Sequence, residues 1–123
     1  MYFTRKSRRV KDGHMTANLE HSTFAGVVSQ ESVRIASEYS ALNVLDVTAA
    51  DINNSYLQAL SSETYDVICG SKFGLESIGK VALILRALYG GKSSSDDFWK
   101  HLISCMIHLG FSSCKAYPDI WMR

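Results

Sequence analysis

The sequence predicts an α+β domain in which a mixed or antiparallel sheet is packed by helices. Three observations lead there. Residues 29–43 and 94–109 repeat apolar side chains at helical spacing behind serines able to cap a helix. Residues 45–52 and 64–69 alternate at the period of a strand, and Lys80–Leu85, KVALIL, is a continuous apolar run of strand length. At 123 residues, with 46% apolar and 20% charged side chains, the chain is long enough for one domain with a core and too short for two. The same balance excludes a disordered or fibrous chain.

From the N-terminus, residues 1–11 suit a strand with a basic face, closed by the turn signal Asp12-Gly13 and followed by a polar loop to Phe24. Arg5, Lys6, Arg8, Arg9 and Lys11 stand against Asp12 alone. Residues 1–14 therefore carry +4 and the remainder −3, in a chain of formal charge +1. Such an arm suits phosphate, whether of a nucleic-acid backbone or a nucleotide; its bland alternative is a solvated tail. Because its charges follow the apolar start and no apolar stretch lies behind them, this terminus does not read as a secretory signal. No apolar run approaches the roughly 18 residues that span a bilayer, so an intracellular, cytoplasmic location without membrane contact is expected. Cys69, Cys105 and Cys114, odd in number and irregularly spaced, fit reduced thiols better than a disulfide framework.

Ser29 can cap a helix that has Glu31 and Ser32 in its first turn and runs to Asn43, with Val33, Ala36 and Ser40 or Leu42 on one side and Arg34 and Glu38 spaced as an i,i+4 pair. After the 45–52 strand, Asn53-Asn54-Ser55 signals a turn and Tyr56-Leu57 a helical turn. In the next strand, Tyr65, Val67 and Cys69 oppose Asp66 and Ile68. Gly70–Gly79 is a glycine-bearing loop leading to KVALIL, the best candidate for a buried strand, which Leu88-Tyr89-Gly90-Gly91 breaks. Ser94 or Ser95 then caps the clearest helix, with Asp96 and Asp97 at its positive end, Phe98, Leu102, Met106 and Leu109 along one stripe, and Gly110 as its stop. The final DIWMR alternates as a strand. It is expected to be an edge cut from a larger fold, unpaired, marginally stable and prone to aggregate.

Asp51 is the residue that a purely structural account places least easily. In a strand over 45–52 it shares a side with Leu45, Val47 and Ala49. A carboxylate on an apolar side costs several kcal/mol unless it is paired, neutralised, left at the open strand end or bound to a cation. Two other constellations suggest chemistry and fall short of it. Gly91-Lys92-Ser93 sits before a helix as in a phosphate-binding loop, but the full spacing requires glycine where Arg86 stands. Lys92 remains a candidate anion contact at the helix start. His101, Cys105 and His108 share a helix face, with Cys114 beyond, yet lack the paired-cysteine knuckle of a structural zinc site.

Several strings in order and spacing are similar to a known family. They are Ser29–Arg34, SQESVR; Ala41-Leu42-Asn43; Ala50–Leu57, ADINNSYL; Arg86–Ser93, RALYGGKS; and Tyr117–Arg123, YPDIWMR. These resemble the patterns VVS-x-x-S-I/V-R, Q-L-D-V-K-T-A-F-L, L-Y-G-L-K and A-D-P-C/D-V-Y/W of copia-type retrotransposon reverse transcriptases. The resemblance implies a partial right-hand polymerase, with residues 1–44 fingers-like and 45–123 palm- and fingers-like. It also implies that Asp51 is a catalytic ligand of two Mg2+ ions, or Mn2+ in their place, with Ile52 lending its backbone carbonyl. Tyr56 matches the aromatic residue that lies under the deoxyribose and excludes a 2′-hydroxyl. Lys6 and Arg8 match cations that contact the incoming triphosphate, and Lys92 and Ser93 fall in the segment that meets nucleotide and template.

The implied partners are an RNA template, a DNA primer, a deoxynucleoside triphosphate and the remainder of the polyprotein, in a cytoplasmic retrotransposon particle. Two departures stand out. Gly91 replaces the family's leucine and Ser93 its glutamine. The Y-V-D-D pair that supplies the other metal-binding aspartates is expected after Pro118, where this chain ends, so the chain alone is expected to be inert. A non-catalytic nucleic-acid-binding module using the basic arm, and a small interaction domain, are the alternatives that the residues leave open.

Overall fold

The computed structural model describes residues 25–123; the expected N-terminal strand, the Asp12-Gly13 turn and the loop to Phe24 lie outside them. The described residues contain α1 (Gln30–Leu42), α2 (Ser55–Gln58), β1 (Leu60–Ile68), β2 (Val81–Arg86), α3 (Ser94–His108), β3 (Ser112–Ser113) and β4 (Trp121–Met122). Both sheets are two-stranded and antiparallel. The small mixed α/β character expected from the sequence is thus present. The chain divides into two units, one holding Asn54–Phe98 and the other residues 25–53 with Trp99–Arg123.

In the first unit, β1 and β2 form a hairpin in which Tyr65 pairs with Ile84 and Val67 with Ala82 on the inward side. Cys69 N–H donates to Lys80 O and Gly79 N–H to Cys69 O, each at 2.8 Å, closing the loop end. Gly79, at φ 77°, takes a backbone conformation that side chains resist. Toward the other end the register slips: residues 61–64 of β1 oppose Leu85 alone. Ser61 sustains this bulge, its Oγ donating to Glu63 O at 2.8 Å and accepting from Glu63 N–H at 3.3 Å. Ala59 and Ala87, each 1% exposed, lie where Ala87 N–H donates to Ala59 O at 3.1 Å. KVALIL is not a fully buried strand. Only Ala82 and Ile84 turn inward, while Val81, Leu83 and Leu85 are exposed, because a two-stranded sheet is covered on one side.

In the second unit, Ser29 caps α1 as its position suggests, with Oγ accepting from Ser32 N–H at 3.0 Å. The helix ends in a Schellman arrangement: Leu45 N–H reaches Ser40 O at 2.9 Å and Val44 N–H reaches Ala41 O at 3.4 Å. That motif puts Val44 at φ 52°, where a β-branched residue is strained. The expected strand over 45–52 does not form. Neither sheet supplies it with a hydrogen-bonding partner among the described residues, and Leu45, Val47 and Ile52 are exposed. The stripe assigned to α1 also faces water, Val33 being 51% and Leu42 84% exposed; Ser32 is the residue that α1 buries. Trp121 and Met122 of DIWMR pair on one side with β3, through Ser113↔Trp121 and Ser112↔Met122; in a two-stranded sheet the other side of β4 is an edge. Val28, Trp99, Leu102, Ile103, Met106 and Trp121 line a groove of about 150 Å³. Among the described residues, no helix is long and apolar enough to cross a membrane.

Candidate functional site

Asp51 lies in the stretch without regular structure that follows the Schellman turn of α1, two residues before the Asn53-Asn54 turn, and it is exposed. The stretch pairs with neither sheet, and Asp51, Leu45, Val47 and Ala49 are all exposed. Water solvates the Asp51 carboxylate, which therefore needs no buried partner. Ile52 follows in the same exposed stretch.

Asn54, at φ 51° and ψ 42°, turns the chain into α2 and presents Tyr56. The Tyr56 ring stands 4.7 Å from that of Tyr89 at 41°, and 6.0 Å from that of Phe98 at 59°. Its hydroxyl is 3.0 Å from Ser95 Oγ. Three aromatic rings therefore tie α2 to the turn after β2 and to the first turn of α3.

The start of α3 is built from carboxylates. Ser93, rather than Ser94 or Ser95, stands at the cap: its carbonyl accepts from Asp97 N–H at 2.8 Å, the first bond of the helix. Its own N–H donates to Glu63 Oε1 at 3.0 Å and its Oγ to Asp97 Oδ2 at 2.9 Å. Asp97 Oδ2 also accepts from Ser62 N–H, in the β1 bulge, at 3.2 Å. A capping box places a glutamate of the helix itself on the cap N–H; here Glu63 reaches that group from the bulged strand. Ser93, Ser94 and Asp97 are all buried.

Gly90, at φ 85°, holds the positive-φ position of the turn closed by Gly91 N–H to Leu88 O at 3.1 Å. Ser94 Oγ donates to that same Leu88 carbonyl at 2.5 Å. A Cβ on Gly91 would collide with Ser94 Oγ and lie 3.2 Å from Leu88 O. Both departures from the reverse transcriptase patterns, Gly91 and Ser93, thus have local structural roles.

Lys92 is half-buried beside this cluster. An anion binding at the start of α3 meets an N–H already taken by Glu63 and a hydroxyl already taken by Asp97. A nucleotide contact through Ser93 would displace one of these bonds. Lys6 and Arg8 lie outside the described residues. On α3, Cys105 Sγ is 3.7 Å from His101 Nε2, while Cys114 belongs to the β3–β4 turn, its N–H donating to Ile120 O at 2.8 Å. No group of three or more His, Cys, Asp or Glu placed to hold a metal occurs among the described residues.

The strings singled out in the sequence meet in pairs. Within the second unit, Ser29 N–H, from SQESVR, donates to Asp119 Oδ2, from YPDIWMR, at 3.2 Å across 90 residues of chain. Within the first, Tyr56 of ADINNSYL packs on Tyr89 of RALYGGKS. Glu63 and Asp119 escaped the sequence reading. Glu63 had a signal, since it falls on the inward side of a strand with Tyr65 and Val67, where a carboxylate needs donors. No family model, curated protein or solved structure matches the chain.

Proposed function

We propose that the chain is part of a copia-type retrotransposon reverse transcriptase. Asp51 is its first metal-binding carboxylate, and Tyr56 is the residue that would lie against the sugar of the incoming nucleotide. The reading rests on the ordered strings, and one observation supports it beyond the sequence: strings far apart in the chain come together, Ser29 with Asp119 and Tyr56 with Tyr89. In this reading the segment from Arg86 to Ser93 retains the family's turn but has exchanged its template-facing residues for a helix cap.

The described residues do not make a two-magnesium site. Asp51 is one exposed carboxylate, no metal-holding cluster accompanies it among the described residues, and the chain contains no Y-V-D-D string. A hard cation pair needs several carboxylate oxygens, so the chain by itself is expected not to polymerise. RNA template, DNA primer and deoxynucleoside triphosphate are partners of the complete enzyme in this reading.

Sequencing the transcript beyond the codon for Arg123 is the first test. The frame is expected to continue into a Y-V-D-D equivalent, and the longer product to extend an oligo(dT) primer on poly(rA) with Mg2+ or Mn2+. Asp51→Asn should abolish that activity. A frame with no such pair, or an active product indifferent to Asp51→Asn, would overturn the assignment.

A further inference from the structure

The groove of about 150 Å³ in the second unit is apolar except at one place. α3 supplies Trp99, Leu102, Ile103 and Met106 to it, one helix face at spacing i, i+3, i+4 and i+7, and β4 supplies Trp121. Asp119 contributes the only charged side chain of the lining. Its Oδ2 accepts from Ser29 N–H at 3.2 Å, while Oδ1 has no hydrogen-bond partner and no Lys, Arg or His pairs with the carboxylate among the described residues. Both indoles and the carboxylate are half-buried, so a solute can reach them. A negative charge that shares an apolar groove with two indoles favours a cation, which gains Coulomb attraction from the carboxylate and quadrupole attraction from the rings.

The same lining selects the kind of cation. A primary ammonium brings three N–H donors and a guanidinium five, and here one free carboxylate oxygen would meet them, leaving the others unsatisfied against apolar side chains. A quaternary ammonium carries no N–H, and its methyl groups can bury against Leu102, Ile103 and Met106 without that loss. At roughly 30 Å³ for each small heavy-atom group, the groove holds about five, enough for a trimethylammonium head and the first carbon of its stem. We propose that this groove binds a small quaternary ammonium compound, its head against Trp99 and Trp121 and beside Asp119. Asp51 and Tyr56 take no part in it, so it stands or falls independently of the polymerase assignment.

Trp99 and Trp121 are the chain's two tryptophans, so its whole indole emission reports on this groove. Fluorescence titration of the full chain at constant ionic strength tests the site with three probes: choline, its primary-ammonium counterpart ethanolamine, and 3,3-dimethylbutan-1-ol, the neutral isostere. Choline is expected to change the emission saturably with a Kd of about 1 mM, and the other two to bind at least about tenfold more weakly. Asp119→Asn keeps an acceptor for Ser29 N–H while removing the charge, and should weaken choline binding by about tenfold. Trp99→Leu, read through Trp121, should weaken it by a similar factor of about ten. Far-ultraviolet circular dichroism of each variant checks that helix content is retained. Nuclear Overhauser contacts from the choline methyl protons to indole protons of the unsubstituted chain give a readout that needs no variant. No saturable response up to about 20 mM, an isostere or ethanolamine that binds as well as choline, or binding indifferent to Asp119→Asn would sink the proposal.

Discussion

Removing the carboxylate of Asp97 should unfasten the start of α3 from the β1 bulge. Oδ2 accepts from Ser93 Oγ at 2.9 Å and from Ser62 N–H at 3.2 Å, and the residue is 6% exposed. Alanine at 97 leaves the Ser93 hydroxyl stranded in a buried place, at a cost of about 1–3 kcal/mol. Losing a negative charge from the first turn adds about 0.5 kcal/mol, and loosening the cap adds about 1 kcal/mol. Ser62 is exposed, so water takes over its N–H at little cost. Asp97→Ala is therefore expected to lose about 3 kcal/mol, or about 10 °C in Tm for a chain of this length. Asp97→Asn keeps the volume and one acceptor oxygen and should lose about 1 kcal/mol. Urea unfolding followed by circular dichroism measures both, and a Ser93→Ala and Asp97→Ala double-mutant cycle should give a coupling of about 1 kcal/mol. An alanine variant within about 0.5 kcal/mol of the parent, or a cycle without coupling, would refute the cap.

Four further outcomes follow from local geometry. Val44→Gly should gain about 0.5–1 kcal/mol, since left-handed backbone costs an L-residue about 1–2 kcal/mol and glycine's extra chain entropy returns part of that; a rise in the urea midpoint measures it. Tyr56→Phe keeps the rings and loses the Ser95 hydrogen bond, so about 1 kcal/mol should disappear from the unfolding free energy. Gly91→Ala forces Ser94 Oγ away from Leu88 O and should cost about 1–3 kcal/mol, read as a drop in Tm. Leu83→Lys, on the outward side of the hairpin, should change stability by less than about 0.5 kcal/mol while lowering the aggregated fraction in sedimentation velocity.

Elements with local signals were legible in the sequence. The cap of α1 at Ser29, the length of α3 and the strand through Tyr65 and Val67 follow from capping chemistry and period, which act within a few residues. What was missed depends on distant chain. KVALIL is apolar on both faces, yet in a two-stranded sheet only Ala82 and Ile84 on one of them are half-buried, and periodicity cannot tell how many faces will be covered. The 45–52 stretch alternates well enough for a strand, but a strand exists only with a partner, and Val44 instead spends its turn closing α1. Asp51 shows the consequence for the site. Its apparent burial came entirely from the assumed pleat, so its case now rests on its place in ADINNSYL.

Gly91 and Ser93, which depart from the L-Y-G-L-K-Q pattern, belong to one device. Ser94 Oγ can reach Leu88 O at 2.5 Å only while position 91 lacks a Cβ, and that approach folds the chain from the Gly90 turn directly into α3. The fold-back brings the Ser93 N–H to Glu63 and its hydroxyl to Asp97. A leucine at 91 would push Ser94 aside, and a glutamine at 93 would exchange the short hydroxyl for a longer amide at the cap, where serine is favoured. The two positions are thus coupled: leucine at 91 disturbs the fold-back that sets the cap, and glutamine at 93 removes the hydroxyl that bonds Asp97. In the proposed reading, this segment has given up a surface for nucleotide and template in return for a self-contained helix start.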